Sequence, residues 1–236
     1  MNFNLRARAI AEFLGTAFLL AAVVGSGIMG ERLSGGNIAI ALLANTLATG
    51  AILVVLILTL APISGAHFNP AVTLAMSVTG QMPPGDAAVY VASQMGGAFA
   101  GVASAHLMFG LPMFFASNHA RHGAAQLWSE VVATFGLMFV IWGCSRFRPS
   151  ATAHAVGAYI TAAYWFTAST SFANPAVTLA RSSSDTFAGI RPTDTPAFIA
   201  AQLTGALAAT LLFRWLVPSG TAKDTASGSP AAVVND

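Results

Sequence analysis

Six apolar stretches run along the chain at 9–29, 37–60, 86–107, 126–146, 151–169 and 195–217. Each is near the roughly 20 residues that a helix needs to cross a bilayer, so six transmembrane helices are expected. Arg6 and Arg8 followed by an apolar run have the look of a secretory signal peptide. That run is too long for one and carries Glu12, which favours a first transmembrane helix. Between the crossings lie two shorter apolar segments, 69–78 and 174–183, about half the length a span requires. The end of the chain, 218–236, is small and polar and is expected to be disordered.

The two short segments open with the same seven letters, NPAVTLA, and their asparagines, Asn69 and Asn174, stand 105 residues apart. The repeat is larger than that phrase. "ASQMGGAFAG" from Ala92 is echoed by "AAQLTGALAA" from Ala200, and Glu12 is echoed by Glu130 near the head of the fourth crossing. The chain therefore reads as one transmembrane domain, 1–236, built from two units at about 9–108 and 126–217. Each unit has three crossings and one half-helix, and because three is odd the second unit enters the membrane inverted.

Composition agrees with the pattern: 56% of the 236 residues are hydrophobic and only 8% are charged, unlike the surface of a water-soluble domain. The net charge of +2 comes from scattered residues with no basic run, which excludes nucleic acid as a partner. The one cysteine, Cys144, has no partner for an internal disulfide, and no His/Cys cluster has metal-ligand spacing. No cofactor and no catalytic nucleophile, base or carboxylate pair is expected. In this topology Arg6, Arg8, Arg146, Arg148, Arg214 and Lys223 fall on one side, and Arg32, Arg121, Arg181 and Arg191 on the other. The asymmetry places both termini in the cytoplasm.

The repeated phrase is a helix start. Asn69 and Asn174 are favoured N-caps, Pro70 and Pro175 suit the first helical position, and Ala71 and Ala176 continue the turn. A half-helix of about 10 residues is about 15 Å long, so two placed end to end would cover the roughly 30 Å hydrocarbon core. Irregular backbone at that depth is tolerated only when it is packed in protein or lines a water-filled cavity, so the loops "ISGAH" and "ASTSFA" imply a pore. Two positive dipole ends meeting there oppose cations. Asparagine side-chain N–H groups donating to a passing oxygen would interrupt a proton wire.

With its two NPA boxes, "SGAHFNPAVT", "AEFLGTAFL", "SEVVATFGLMF" and the glutamines of the third and sixth crossings, the chain resembles the aquaporin and aquaglyceroporin superfamily across about 9–217. The resemblance implies an all-α channel of six helices and two half-helices. It also implies a homotetramer in a bacterial inner membrane, with one pore per protomer passing water or small neutral solutes without catalysis. By spacing from the asparagines, the family's outer selectivity filter falls on Thr49, Ala162, Ser171 and Val177. The family normally has arginine where Val177 stands, so the expected filter is a wide, uncharged ring of small residues. Such a ring with "NPAVTLARS" resembles the arsenical-conducting aquaglyceroporins of rhizobial arsenic-resistance operons, which implies passage of arsenous acid and methylated arsenicals.

Several residues carry two readings. Arg181, four residues after Val177, either returns a displaced positive charge to the outer mouth or caps the C-terminus of its own helix. Glu12 and Glu130 either relay protons, which would make the protein a proton-coupled secondary transporter, or accept hydrogen bonds from the loops before the half-helices. His67 either gates the inner vestibule with pH or orients its loop, and His154 is a vestibule sensor or a plain interfacial residue. A structural junction protein with a vestigial pore is the third functional reading, disfavoured by the small residues of the ring.

Overall fold

The computed structural model describes residues 3–218, and the tail expected to be disordered falls outside them except for Pro218. The helices are α1 (Leu5–Leu33), α2 (Ile38–Ser64), α3 (Pro70–Val78), α4 (Pro84–Met108), α5 (Ala124–Phe147), α6 (Thr152–Phe166), α7 (Pro175–Arg181) and α8 (Thr195–Leu216). Short 3-10 turns at Pro149–Ala151 and Pro192–Asp194 lead into α6 and α8. A helix stands at each of the six expected crossings, and both half-helices are present. Four of the long helices, α1, α2, α5 and α8, the last counted with the turn before it, are long and apolar enough to cross a membrane by themselves. Of the other two, α4 is rich in glycine and alanine, and α6 has only 15 residues because the chain leaves the helix at Thr167. The half-helices are shorter than expected, at nine and seven residues.

The two halves pack alike. α1 lies against α4 and α2, while α5 lies against α8 and α6, and the two units meet along α2 and α6. At the α1–α4 crossing a Cβ on Gly97 would overlap the carbonyl of Phe13, and at the equivalent α5–α8 crossing one on Gly205 would overlap the carbonyl of Val131. Each glycine lets two backbones touch, the small-residue packing that serves helices in lipid.

Outward faces carry Phe18, Val55, Leu58, Leu207 and Leu211, all exposed, as a hydrocarbon solvent requires. Hydroxyls on those faces bond back to their own helix: Thr59 donates to Val55 O at 2.7 Å, Ser104 to Ala100 O at 2.8 Å and Thr204 to Ala200 O at 2.9 Å. No free donor is then left facing lipid from these side chains. Trp128 and Trp165 near one end of the bundle and Trp215 at the other are exposed, the placement of an interfacial aromatic belt.

Candidate functional site

The loops before α3 and α7 repeat each other residue by residue, offset by the same 105 positions. Gly65, Ala66 and Phe68 have positive φ, as do Thr170, Ser171 and Ala173. Ser64 Oγ accepts from Ala66 N at 3.1 Å, and Ser169 Oγ accepts from Ser171 N at 3.2 Å. Left-handed backbone at non-glycine residues is costly, so each loop must be over-determined by its surroundings. The carboxylates supply that determination. Glu12 accepts from Ser64 Oγ at 2.7 Å, His67 N at 2.9 Å, Phe68 N at 2.7 Å and Gln94 Nε2 at 2.8 Å. Glu130 accepts from Phe172 N and Ala173 N, both at 2.9 Å, and from Gln202 Nε2 at 2.6 Å.

Two glutamines and two threonines complete the brace, and sequence reasoning assigned them no such role. Gln94 also donates to Thr73 Oγ1 at 2.9 Å, and Gln202 donates to Thr178 Oγ1 at 2.8 Å. Both threonines stand four residues after their asparagine, so the signal lay inside the duplicated heptapeptide. His67 Nδ1 pairs with Thr73 Oγ1 at 3.0 Å, which ties this ring to the first loop. His154 is exposed on α6 and does not line the cavity described below.

Each asparagine caps its half-helix. Asn69 Oδ1 accepts from Ala71 N at 2.9 Å, and Asn174 Oδ1 accepts from Ala176 N at 3.0 Å and Val177 N at 3.2 Å. Their amides are not both left free, as the sequence suggested. Asn69 Nδ2 donates to Ala173 O and Asn174 Nδ2 to Phe68 O, each at 2.8 Å, so one N–H of each asparagine ties the two loops to each other. An amide carries two N–H groups, and among the described residues one of each pair is engaged in this way. Pro70, Ala71, Pro175 and Ala176 are buried at the two helix starts.

One cavity of about 250 Å³ passes both asparagines. Thr49, Leu53 and Ile57 of α2, and Thr152, Val156, Ile160 and Tyr164 of α6, reach it in stripes spaced by four residues. His67, Asn69, Ser171, Asn174, Val177 and Arg181 also line it. Ala162 does not, and this corrects the sequence assignment: it is exposed on the far face of α6. Counting back 12 residues from Asn174 overshot the wall position by two, about 200° around a helix. The side chain that α6 gives to the cavity there is Tyr164, whose hydroxyl donates to Thr49 Oγ1 at 3.3 Å.

Nor is the wall free of arginine. Arg181 is 2% exposed and lies in the same lining as Val177. Its Nε donates to Ala188 O rather than to the end of its own helix, and its guanidinium carbon sits 3.5 Å from the centroid of the Phe172 ring. The reading of Arg181 as a cap of its own helix is thereby replaced.

Outside the membrane-spanning part, residues 111–123 fold over the segment after α7. Ser117 N donates to Ser182 O at 2.9 Å, and Asp185 accepts from Asn118 N at 2.8 Å and Asn118 Nδ2 at 2.9 Å. Those donors hold the Asp185 carboxyl below its ordinary value of 3.8. A lowered pKa contributes stability above the unfolded value that is lost as pH falls through the folded one. Hydrogen exchange of residues 111–123 is expected to accelerate as pH falls below about 3.8 after correction for intrinsic rates, and Asp185→Asn should shrink that acid-dependent step.

The model of the family described as major intrinsic protein matches residues 2–148 and again residues 143–236. The chain belongs to the major intrinsic protein family. As a member it is a membrane channel and not an enzyme. It is 57% identical over 216 residues to the aquaglyceroporin AqpS of Rhizobium meliloti (strain 1021), covering 92% of each chain. A 36% identical match to aquaporin NIP1-3 of Oryza sativa subsp. japonica spans 58% of this chain and 47% of the rice protein. The X-ray structure of the aquaglyceroporin from Plasmodium falciparum shares the fold at a TM-score of 0.69 and 22% identity, covering 93% of this chain and 98% of that one.

Proposed function

We propose that this major intrinsic protein is a passive channel for small uncharged polyhydroxylated solutes: water, glycerol-like polyols, arsenous acid and methylated arsenicals. The observation that carries the proposal is the cavity passing both asparagines, walled by apolar stripes with a few convergent polar groups. An apolar wall holds water weakly, while the free amide hydrogens of Asn69 and Asn174 line up donors for a solute's oxygens. Thr49, Tyr164, Ser171 and Val177 form the filter in this reading. Valine in place of the family's arginine leaves room for a solute larger than water. The similarity to AqpS, an aquaglyceroporin by name, supports a glycerol-sized solute.

In this reading the protein is a homotetramer in a bacterial inner membrane with both termini in the cytoplasm. Glu12 and Glu130 are structural, because their carboxylate oxygens are engaged by loop N–H groups and glutamines, and the secondary-transporter alternative loses its proton carriers. The test is uptake into proteoliposomes. Glycerol and arsenous acid should equilibrate down their gradients and stop there, whether or not a proton gradient is imposed; accumulation above the outside concentration would favour the transporter.

A further inference from the structure

A guanidinium buried in a bundle is ordinarily paired with a carboxylate. Arg181 is not: the ion pairs among the described residues are Arg8–Asp86 and Arg191–Asp194. Its Nε donates to Ala188 O, and among the described residues no acceptor is found for its two terminal nitrogens. The aromatic face of Phe172 holds it instead, at 3.5 Å from the ring centroid. Phe172 is itself fixed by its N–H on Glu130 and by an edge contact with Phe198 at 5.4 Å between centroids. A second guanidinium, Arg121, lies 5.0 Å from the same ring and donates to the carbonyls of Gly189 and Ser169, at 2.8 and 3.3 Å. The hydroxyl of Ser171, buried in the same lining, has no partner among the described residues.

We infer that Arg181, braced on Phe172, is the specificity-determining cation of this pore. It stands one helical turn beyond the ring position held by Val177. A positive charge in a low-dielectric wall repels a cation more strongly than it would in water, and its unpaired N–H groups offer donors to an oxygen-rich solute. Val177 leaves the ring wide, and Arg181 keeps it closed to cations. Phe172 is a positioning residue, acting through the arginine. The inference rests on the channel reading above.

The test uses an isosteric pair, neutral acetamide and cationic acetamidinium, with uptake followed in proteoliposomes at pH 7. Wild type is expected to pass acetamide and exclude acetamidinium. Arg181→Met, which keeps a long side chain on Phe172 without the charge, should raise acetamidinium uptake at least tenfold relative to acetamide. Arg181→Lys should not. Val177→Glu leaves Arg181 in place and pairs with it at i,i+4, so it should admit acetamidinium as Arg181→Met does. If either neutralised variant passes acetamide and still excludes acetamidinium, the half-helix dipoles suffice and the inference about Arg181 falls. If wild type passes no acetamide or glycerol, the channel reading falls first.

Discussion

Glu130→Gln is expected to cost the fold about 3 kcal/mol and to leave the properly folded remainder a passive channel. Glu130 Oε1 accepts from Phe172 N, while Oε2 accepts from both Ala173 N and Gln202 Nε2. A glutamine must turn its NH₂ toward one side or the other, so at least one buried donor faces another donor. An unsatisfied buried donor costs about 1–3 kcal/mol, and losing a charge-assisted bond costs a similar amount. Against a total stability of about 5–15 kcal/mol this is a large loss. Glu12→Gln should behave alike, since four donors converge on that carboxylate. The check is thermal unfolding in detergent beside flux per folded channel. A lower midpoint with flux retained fits the bracing role, whereas an unchanged midpoint with altered pH dependence of transport fits a proton relay.

Val177→Arg is expected to cut glycerol and arsenous acid flux at least tenfold, a barrier increase of about 1.4 kcal/mol. Water should be affected less. Val177 is 5% exposed at the first turn of α7 and lines the same cavity as the α2 and α6 stripes. A guanidinium there fills the opening and stands one turn from Arg181, so two like charges share a low-dielectric wall. Stopped-flow scattering on vesicles reads the change directly. Equal losses for water and glycerol would indicate a blocked or misfolded pore rather than a narrowed one.

The crossings were legible because lipid allows only helices with every backbone group satisfied, which leaves long apolar stretches in the sequence. The half-helices were legible because Asn-Pro is both a cap and a first turn, and was written twice. What the sequence concealed lay where spacing had to be carried across a loop. Ala162 follows from counting back through residues 167–173, whereas Tyr164 belongs to the stripe Thr152, Val156, Ile160 that period four alone picks out. Arg181 was legible as a charge one turn beyond Val177, but its choice of Ala188 O and the Phe172 ring over its own helix end depended on tertiary contacts. The amides of Asn69 and Asn174 show the same limit. Their caps are local, while the bonds that tie each loop to the other join residues more than 100 positions apart.

The most direct test of the account is stopped-flow light scattering of proteoliposomes under glycerol and arsenous acid gradients, with a pH-sensitive dye sealed inside. Uptake of both solutes is expected to be free of saturation and far above that of protein-free vesicles, with no change in internal pH. Uptake no faster than through bare lipid, or uptake that moves protons in proportion to solute, would contradict it.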